Sequence, residues 1–105
     1  MKLITKELEK RFAKVGEQLN NPDPLIIAKF FDPCGSGTWY ATEYDPETQI
    51  CFGYVTGLAF DEWGTFSIKE LEELPLLLPK LRIERDRFFK EIRFKELIKE
   101  QDIDR

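Results

Sequence analysis

Aromatic residues alternate with glycines and turn-forming residues throughout the segment 38–89, and this pattern constrains the fold more than any other feature. The segment contains the runs W-Y-A-T-E-Y, F-G-Y-V-T-G-L and E-W-G-T-F-S-I-K-E-L. Bulky aromatic residues favour pleated strands, whereas Gly, Asp and Pro favour the corners between strands. The pattern therefore predicts a small, mostly antiparallel sheet of four to five strands.

The length of the chain and its composition limit the class of protein. Its 105 residues predict a single domain spanning residues 1–105. Its hydrophobic fraction of 42%, with 13% aromatic residues, is enough for a folded core. No apolar run approaches the roughly 18 residues of a membrane span, and Lys2 and Lys6 interrupt any signal-peptide core. We therefore expect a cytoplasmic protein without a membrane partner.

The strands can be placed approximately from apolar runs and turn residues. Leu25–Phe31 is typical of one buried strand, and Thr38–Tyr44 and Ile50–Leu58 predict two more. Asp61–Gly64 predicts a corner, followed by a brief fourth strand at Thr65–Phe66.

The second and third predicted strands also indicate where their side chains point and where the backbones come close. Strict alternation in the second strand predicts Thr38, Tyr40, Thr42 and Tyr44 on one face and Trp39, Ala41 and Glu43 on the other. Gly53 and Gly57 fall inside the third predicted strand, which indicates close backbone approach or a bulge.

Two helices are marked by capping residues. Thr5 can cap a first helix whose apolar stripe is Leu8, Phe12 and Val15, and Gly16 can end it. Ser67–Glu70 has the pattern of a capping box, which predicts a short helix from Ile68 to Leu74 before Pro75.

The last third of the chain leaves alternatives open. Leu76–Pro79 predicts an apolar strap over the sheet, and residues 81–89 fit either a strand or the first half of a helix through Ile98. Lys90–Gln101 has no proline and favours a helical C-terminus. Together these elements predict an α+β fold: the sheet, an N-terminal helix, the short capped helix and a helical C-terminus.

The residues that usually carry catalysis are scarce. The chain has no His, and its two cysteines, Cys34 and Cys51, form no C-x-x-C pair, so neither a zinc site nor a His-activated nucleophile is indicated. Gly35-Ser36-Gly37 lacks the lysine of a phosphate-binding loop. No cofactor is therefore predicted.

Carboxylates leave one route to an enzyme. The acidic pairs are Glu43 and Asp45, Asp61 and Glu62, and Glu84 and Asp86. If these pairs converged they could hold Mg²⁺, which prefers oxygen ligands. The alternative function is therefore a metal-dependent carboxylate enzyme acting on nucleic acid or nucleotide.

Charge is unevenly distributed along this acidic chain. Residues 43–79 carry eight acids and one base, whereas residues 80–99 carry eight bases and four acids. The basic stretch indicates a second alternative, nucleic-acid binding, through Arg82, Arg85, Arg87, Lys90 and Arg93. The net charge of −4 and the interspersed acids weaken that alternative.

Motifs in a fixed order link the chain to a known family. They are L-I-T-K-E-L at Leu3–Leu8, W-Y-A-T-E at Trp39–Glu43, F-G-Y-V-T-G-L at Phe52–Leu58, E-W-G-T-F-S-I-K-E-L at Glu62–Leu71 and I-E-R-D at Ile83–Asp86. Together they resemble the bacterial domain-of-unknown-function 2958 family. The resemblance implies small stand-alone proteins, often encoded on plasmids, phages and other mobile elements, and implies no reaction chemistry.

Candidate binding residues follow from the aromatic and charged motifs. Arg85 either pairs with a carboxylate such as Glu43 or lies in a cleft with Trp39, Tyr40 and Trp63. Trp63, in its predicted corner, is either a core residue or an exposed anchor. The predicted binding set is Trp39, Tyr40, Glu43, Trp63, Glu84, Arg85 and Asp86. The preferred function is a non-enzymatic protein-binding module of a mobile element.

Overall fold

A computed structural model of the chain describes residues 2–103. The helices are α1 (Lys6–Val15), α2 (Ile68–Glu73) and α3 (Phe94–Ile103). The strands are β1 (Leu25–Ile26), β2 (Ala28–Phe31), β3 (Thr38–Asp45), β4 (Ile50–Thr56), β5 (Glu62–Ser67), β6 (Glu84–Arg85) and β7 (Ile92–Arg93). The α+β class is confirmed, including the helices near both ends of the described chain.

Five strands form one antiparallel sheet in the order β5-β4-β3-β2-β6, and β1 pairs with β7 in a two-stranded sheet. This confirms the predicted sheet of four to five strands. The run predicted as one strand, Leu25–Phe31, instead divides at Ile27, because β1 and β2 belong to different sheets. The Ile27 N–H donates to the Ala41 carbonyl at 2.9 Å, so the division leaves no amide unpaired there.

A β-bulge interrupts the pairing of β3 with β4. The register passes from Ala41 opposite Gly53 to Glu43 opposite Phe52, so Thr42 is an extra residue on β3. Gly53 lies against β3 at this point, since a Cβ on it would be 1.9 Å from a backbone oxygen. The predicted close approach at Gly53 is therefore confirmed.

The bulge also overturns the predicted alternation of side chains along β3. Tyr44 packs against the same core as Trp39 and Ala41, whereas Tyr40 belongs to the core on the other face. The prediction that Tyr40 and Tyr44 share a face is wrong because the extra residue reverses the orientation of the positions that follow it.

The helix ends agree with the capping residues. The Thr5 hydroxyl accepts a hydrogen bond from the Leu8 amide at 3.1 Å, and Gly16 ends α1 with φ of 74°. The Ser67 hydroxyl accepts from the Glu70 amide at 3.1 Å, and α2 ends at Glu73. Both predicted helices are thus confirmed, the second one residue shorter than expected.

The corner predicted at Asp61–Gly64 is wrong. Trp63 and Gly64 lie inside β5, where they pair with Tyr54 and Gly53. The chain turns earlier because β4 ends at Thr56 and Gly57 adopts a φ of 77°, in the left-handed region that favours glycine. The Ser36 hydroxyl donates to the Gly57 carbonyl at 2.6 Å and holds this turn.

The large sheet has a core on each face. On one face, α1 and α2 cover a main core that includes Phe12, Phe30, Trp39, Ile68 and Leu71. On the other face, a second core forms around Ile26, Tyr40 and Leu97, with Tyr54, Trp63, Phe89, Ile92 and Phe94 packed against it. The β1–β7 sheet and α3 therefore cover the face opposite α1 and α2.

The chain between α2 and α3 is mostly irregular. Leu76 packs against the main core, but Leu77 and Leu78 are 83% and 55% exposed, so the predicted apolar strap holds only for Leu76. Residues 81–89 contain the short strand β6 rather than a helix, and α3 begins at Phe94 rather than at Lys90.

Candidate functional site

Aromatic side chains cluster on the sheet face beneath α3. Tyr54 and Trp63 are cross-strand partners on β4 and β5, with ring centroids 5.3 Å apart. Phe94, the first residue of α3, lies 5.0 Å from Tyr54 and 4.7 Å from Trp63, at steep interplanar angles. Such pairs stabilise a structure by about 0.5–1.5 kcal/mol beyond their buried area. Phe94 therefore fixes the start of α3 to the sheet.

Beside this cluster lies an open cavity of about 230 Å³, which we call the aromatic recess. Its apolar lining consists of Leu19, Pro22, Pro24, Phe52, Trp63 and Phe94. The rings of Phe52 and Trp63 stack with an interplanar angle of 14° and a centroid distance of 5.9 Å. Leu19 is 63% exposed, so the recess has one exposed aliphatic wall and one stacked aromatic wall.

The buried side chain of Gln18 holds the 16–24 loop against the bulge. Its Nε2 donates to the Leu25 and Thr42 carbonyls at 2.9 and 3.0 Å, and its Oε1 accepts from the Leu25 amide at 2.7 Å. The bulge takes the Thr42 carbonyl out of the strand ladder, and Gln18 satisfies it. Sequence reasoning missed Gln18 because a glutamine in a polar segment carries no sign of burial.

Three polar residues line the recess: Gln18 and Thr42 are hydrogen-bonded to the backbone, and Asn21 Oδ1 accepts from the Asp23 amide at 2.9 Å. Glu43 Oε2 accepts from the Gln18 amide at 3.2 Å, and the Thr42 hydroxyl donates to the Phe52 carbonyl at 3.1 Å. Since Gln18 and Thr42 both line the recess, their hydrogen bonds leave it with mainly apolar surface to offer.

The two tryptophans of the predicted binding set lie on opposite faces of the sheet. Trp39 is 6% exposed in the main core, whereas Trp63 is half-buried beside Tyr54. Tyr40 shares the face of Trp63 but is also buried, and its hydroxyl accepts from Gln101 Nε2 at 3.0 Å. Burial raises the pKa of Tyr40. The predicted cleft uniting both tryptophans therefore does not form.

The Glu84-Arg85-Asp86 triplet lies at the far edge of the sheet, where β6 pairs with β2. Asp86 Oδ2 lies 3.8 Å from Lys29 Nζ, so the triplet's ion pair involves Asp86. The predicted pair between Arg85 and Glu43 is absent from the ion pairs of residues 2–103. The Glu43 carboxylate instead accepts from the backbone amide of Gln18.

The carboxylates singled out from the sequence do not converge. Asp61 Oδ1 accepts from the Gly57 amide at 3.2 Å, in the β4–β5 turn, and Asp45 accepts from the Thr48 hydroxyl at 3.0 Å, in the β3–β4 hairpin. Within the described part of the chain, no three acidic or cysteine side chains lie where they could hold a metal ion. The convergence that a carboxylate-metal enzyme requires is therefore not formed there.

The basic residues of the C-terminal segment are spread over the short strands β6 and β7 and the irregular chain around them. Arg82 donates to the carbonyls of Pro79 and Leu81, both at 2.8 Å, and Arg93 donates to the Asp23 carbonyl at 3.3 Å. Arg87 and Lys90 are exposed, and Arg85 is half-buried. Their use in nucleic-acid binding stays a prediction.

Exposed apolar side chains form a feature that the sequence did not reveal. Leu58 and Phe60, in the β4–β5 turn, are 58% and 74% exposed, and Phe88 is 92% exposed. Scattered exposed apolar residues of this kind are normal on a protein surface and do not by themselves mark an interaction site. An apolar residue in a short loop gives no signal of which way its side chain points.

Comparison with known proteins places the chain in a family. Between residues 2 and 103, no helix has both the length and the apolar composition to cross a membrane. Neither the curated proteins nor the solved structures contain a match to the chain. The family model described as "Protein of unknown function (DUF2958)" matches residues 3–98. The match covers nearly the whole chain, as the ordered motifs indicated, and the chain therefore belongs to the DUF2958 family.

Proposed function

We propose that this chain is a non-enzymatic protein-binding module serving a mobile genetic element, and that its aromatic recess receives an apolar side chain of the partner. The setting on a mobile element is what the resemblance of the motifs implies. The binding role has a separate basis in the geometry of the recess.

The observation that carries the proposal is the size and lining of the recess. Small-molecule sites usually enclose about 300–1,000 Å³. At about 230 Å³, the recess is smaller than that range. An aromatic wall beside an exposed leucine suits one buried anchor residue, the arrangement found at the energetic centre of protein interfaces.

The hydrogen bonds around the recess support binding over catalysis. Catalysis needs polar groups free to act on a substrate, whereas Gln18 and Thr42 already bond to the backbone. The dispersal of Glu43 and Asp61 also favours a binding module over the metal-dependent enzyme.

The test compares two leucines of similar exposure. Leu19, in the recess, is 63% exposed, and Leu58, in a different loop, is 58% exposed. Tagged wild-type protein, Leu19→Glu and Leu58→Glu would each be used to capture partners from a nuclease-treated lysate of the host, followed by mass spectrometry. Thermal unfolding of both variants would establish that each remains folded.

We expect one stoichiometric protein with the wild type and with Leu58→Glu, and its loss with Leu19→Glu. A charge in the recess is expected to weaken binding at least tenfold, since burying an unpaired carboxylate is costly. Equal recovery with both variants would show that the recess is not the binding site. Recovery of nothing, or only of nuclease-sensitive material, would contradict the proposed function.

A further inference from the structure

The outer edge of β5 is an open strand edge. β5 is the outermost strand of the large sheet, next to β4 alone. It is six residues long, and each of its residues is exposed or half-buried. The opposite edge of the sheet, β6, has only two residues. β5 is thus the longer of the two edges.

The hydrogen-bond pattern fixes which backbone groups of β5 face outward. The Ile68 N–H donates to the Gln49 carbonyl at 2.9 Å, one register step beyond the pair Ile50–Ser67. Because hydrogen-bonded pairs alternate in an antiparallel ladder, the residues of β5 that bond to β4 are Phe66, Gly64 and Glu62. The N–H and C=O groups of Trp63 and Thr65 therefore point away from β4, and no hydrogen bond within residues 2–103 uses them on that side.

The edge lacks the usual protection against added strands. Natural edges are commonly guarded by lysine, proline, bulges or short length. β5 contains neither lysine nor proline, and its pairing with β4 has no register shift. Gly64, at its middle, has no side chain that could hinder a strand pairing with this edge.

The charges next to β5 indicate the chemistry of its occupant. Asp61 and Glu62 lie at its start and Glu70 lies in the helix that follows it, all three exposed. Residues 43–79 contain a single base, Lys69. Antiparallel pairing of two β5 edges would bring Asp61 and Glu62 of one copy beside α2 of the other. The acidic residues of α2 would then repel them. A positively charged strand is therefore favoured over a second copy.

We propose that the β5 edge binds an extended, lysine- or arginine-bearing segment of a protein partner, which joins the sheet as a further antiparallel or parallel strand. Its backbone bonds to the outward groups of Trp63 and Thr65, and its basic side chains interact with the neighbouring acids. This mode of recognition, strand addition, takes its affinity from main-chain hydrogen bonds. The inference rests on the proposed role in protein binding.

The first experiment uses synthetic peptides as probes. A seven-residue peptide of alternating lysine and valine would be titrated into ¹⁵N-labelled protein, with amide hydrogen exchange recorded. One control peptide replaces each lysine by glutamate. The other carries N-methyl groups on its central residues, which removes hydrogen-bond donors from both edges of the peptide strand. We expect protection of the Trp63 and Thr65 amides and binding at least tenfold weaker for both controls.

The second experiment changes the edge of the protein. Thr65→Pro removes an outward N–H and keeps the bonds from β5 to β4, since proline is tolerated where a strand N–H faces solvent. Thr65→Val keeps that N–H and is the matched control. We expect at least a tenfold loss of lysine-peptide affinity in the proline variant alone. If Thr65→Pro does not fold, as judged by tryptophan fluorescence, the N-methylated peptide decides the question.

Several results would overturn the inference. These are the absence of lysine-peptide binding, equal binding of the N-methylated peptide, and an unchanged exchange rate at Trp63 and Thr65. A dimer of the chain that Thr65→Pro dissociates, measured by sedimentation, would replace the basic partner by a second copy. If lysate capture still fails with Leu19→Glu but succeeds with Thr65→Pro, the recess function stands and the edge inference fails.

Discussion

The backbone of Tyr40 occupies the space that a side chain on Gly53 would need: a Cβ there would lie 1.9 Å from the Tyr40 carbonyl oxygen. The approach occurs where β3 bulges away from regular pairing with β4. Gly64, the register partner of Gly53 on β5, has open space around the same position. Two glycines paired across strands therefore differ in what they tolerate.

Gly53→Ala is expected to lower the free energy of unfolding by about 3 kcal/mol, because the methyl group forces β3 and β4 apart. Gly64→Ala is the matched control, and it should leave stability unchanged or raise it by up to about 1 kcal/mol. Urea unfolding followed by tryptophan fluorescence measures both. Similar losses in the two variants would contradict the close approach at Gly53.

Gln18→Met is expected to lower the free energy of unfolding by about 2–4 kcal/mol. Methionine has a similar shape but leaves the backbone groups of Leu25 and Thr42 without their buried partners. Asn20→Ala, at an exposed position of the same loop, should change stability by less than about 0.5 kcal/mol. A tolerated methionine would mean that water replaces the Gln18 amide.

The two thiols are expected to differ in reactivity. Cys51 is buried in the main core, and burial raises its pKa far above that of a free thiol, whereas Cys34 is half-buried in the turn after β2. Since the thiolate is the reactive form, a raised pKa lowers the thiolate fraction, and so the reactivity, near neutral pH. A chromogenic disulfide reagent should titrate one thiol in the native protein and two in denaturant. Rapid labelling of native Cys34→Ser would refute this difference.

Arg11 and Glu91 form an exposed pair that should make stability depend on pH. Arg11 Nε and Nη2 donate to the two Glu91 oxygens at 2.8 and 2.7 Å, and these hydrogen bonds lower the pKa of Glu91. A lowered pKa gives stability that is present above the unfolded-state value and lost as the pH falls through the folded-state value. The effect is small because water and salt screen the pair.

Glu91→Gln should therefore lower the urea midpoint slightly at pH 7 and low ionic strength, and the difference from wild type should disappear when Glu91 is protonated. Exposed Glu100→Gln provides the control for loss of one negative charge. A difference that persists at acid pH would assign the effect to packing rather than to the ion pair.

The features that the sequence predicted correctly depend on residues close together in the chain. The bonds from Leu8 to Thr5 and from Glu70 to Ser67 each span three residues, and the residue types alone specify them. The same holds for Gly16, whose positive φ suits the end of α1.

The errors arise where a distant partner decides the outcome. The bulge at Thr42 depends on how β3 pairs with β4, and its carbonyl is satisfied by Gln18, 24 residues away. The interpretation of Asp61–Gly64 as a corner likewise failed because β4 ends at Thr56. Local composition contains no information about strand register.

The candidate site was predictable in part for the same reason. Trp63 was singled out as a possible anchor and does line the aromatic recess, although it lies within a strand. The predicted cleft also includes Trp39, which lies on a predicted strand, whereas Trp63 lies in a predicted corner. Only the sheet pairing reveals that they lie on opposite faces.

The pairing of β1 with β7 has a consequence for biosynthesis. Leu25 pairs with Arg93, and the helix that covers the second core follows directly after β7. Phe94 comes after every strand of the large sheet in the chain, so synthesis supplies the cover of the second core last. Until α3 has docked, Tyr54 and Trp63 lack that cover, and transiently exposed apolar surface favours aggregation. A premature stop codon just after Arg85 would make the same exposure permanent and would direct an otherwise complete sheet to proteolysis.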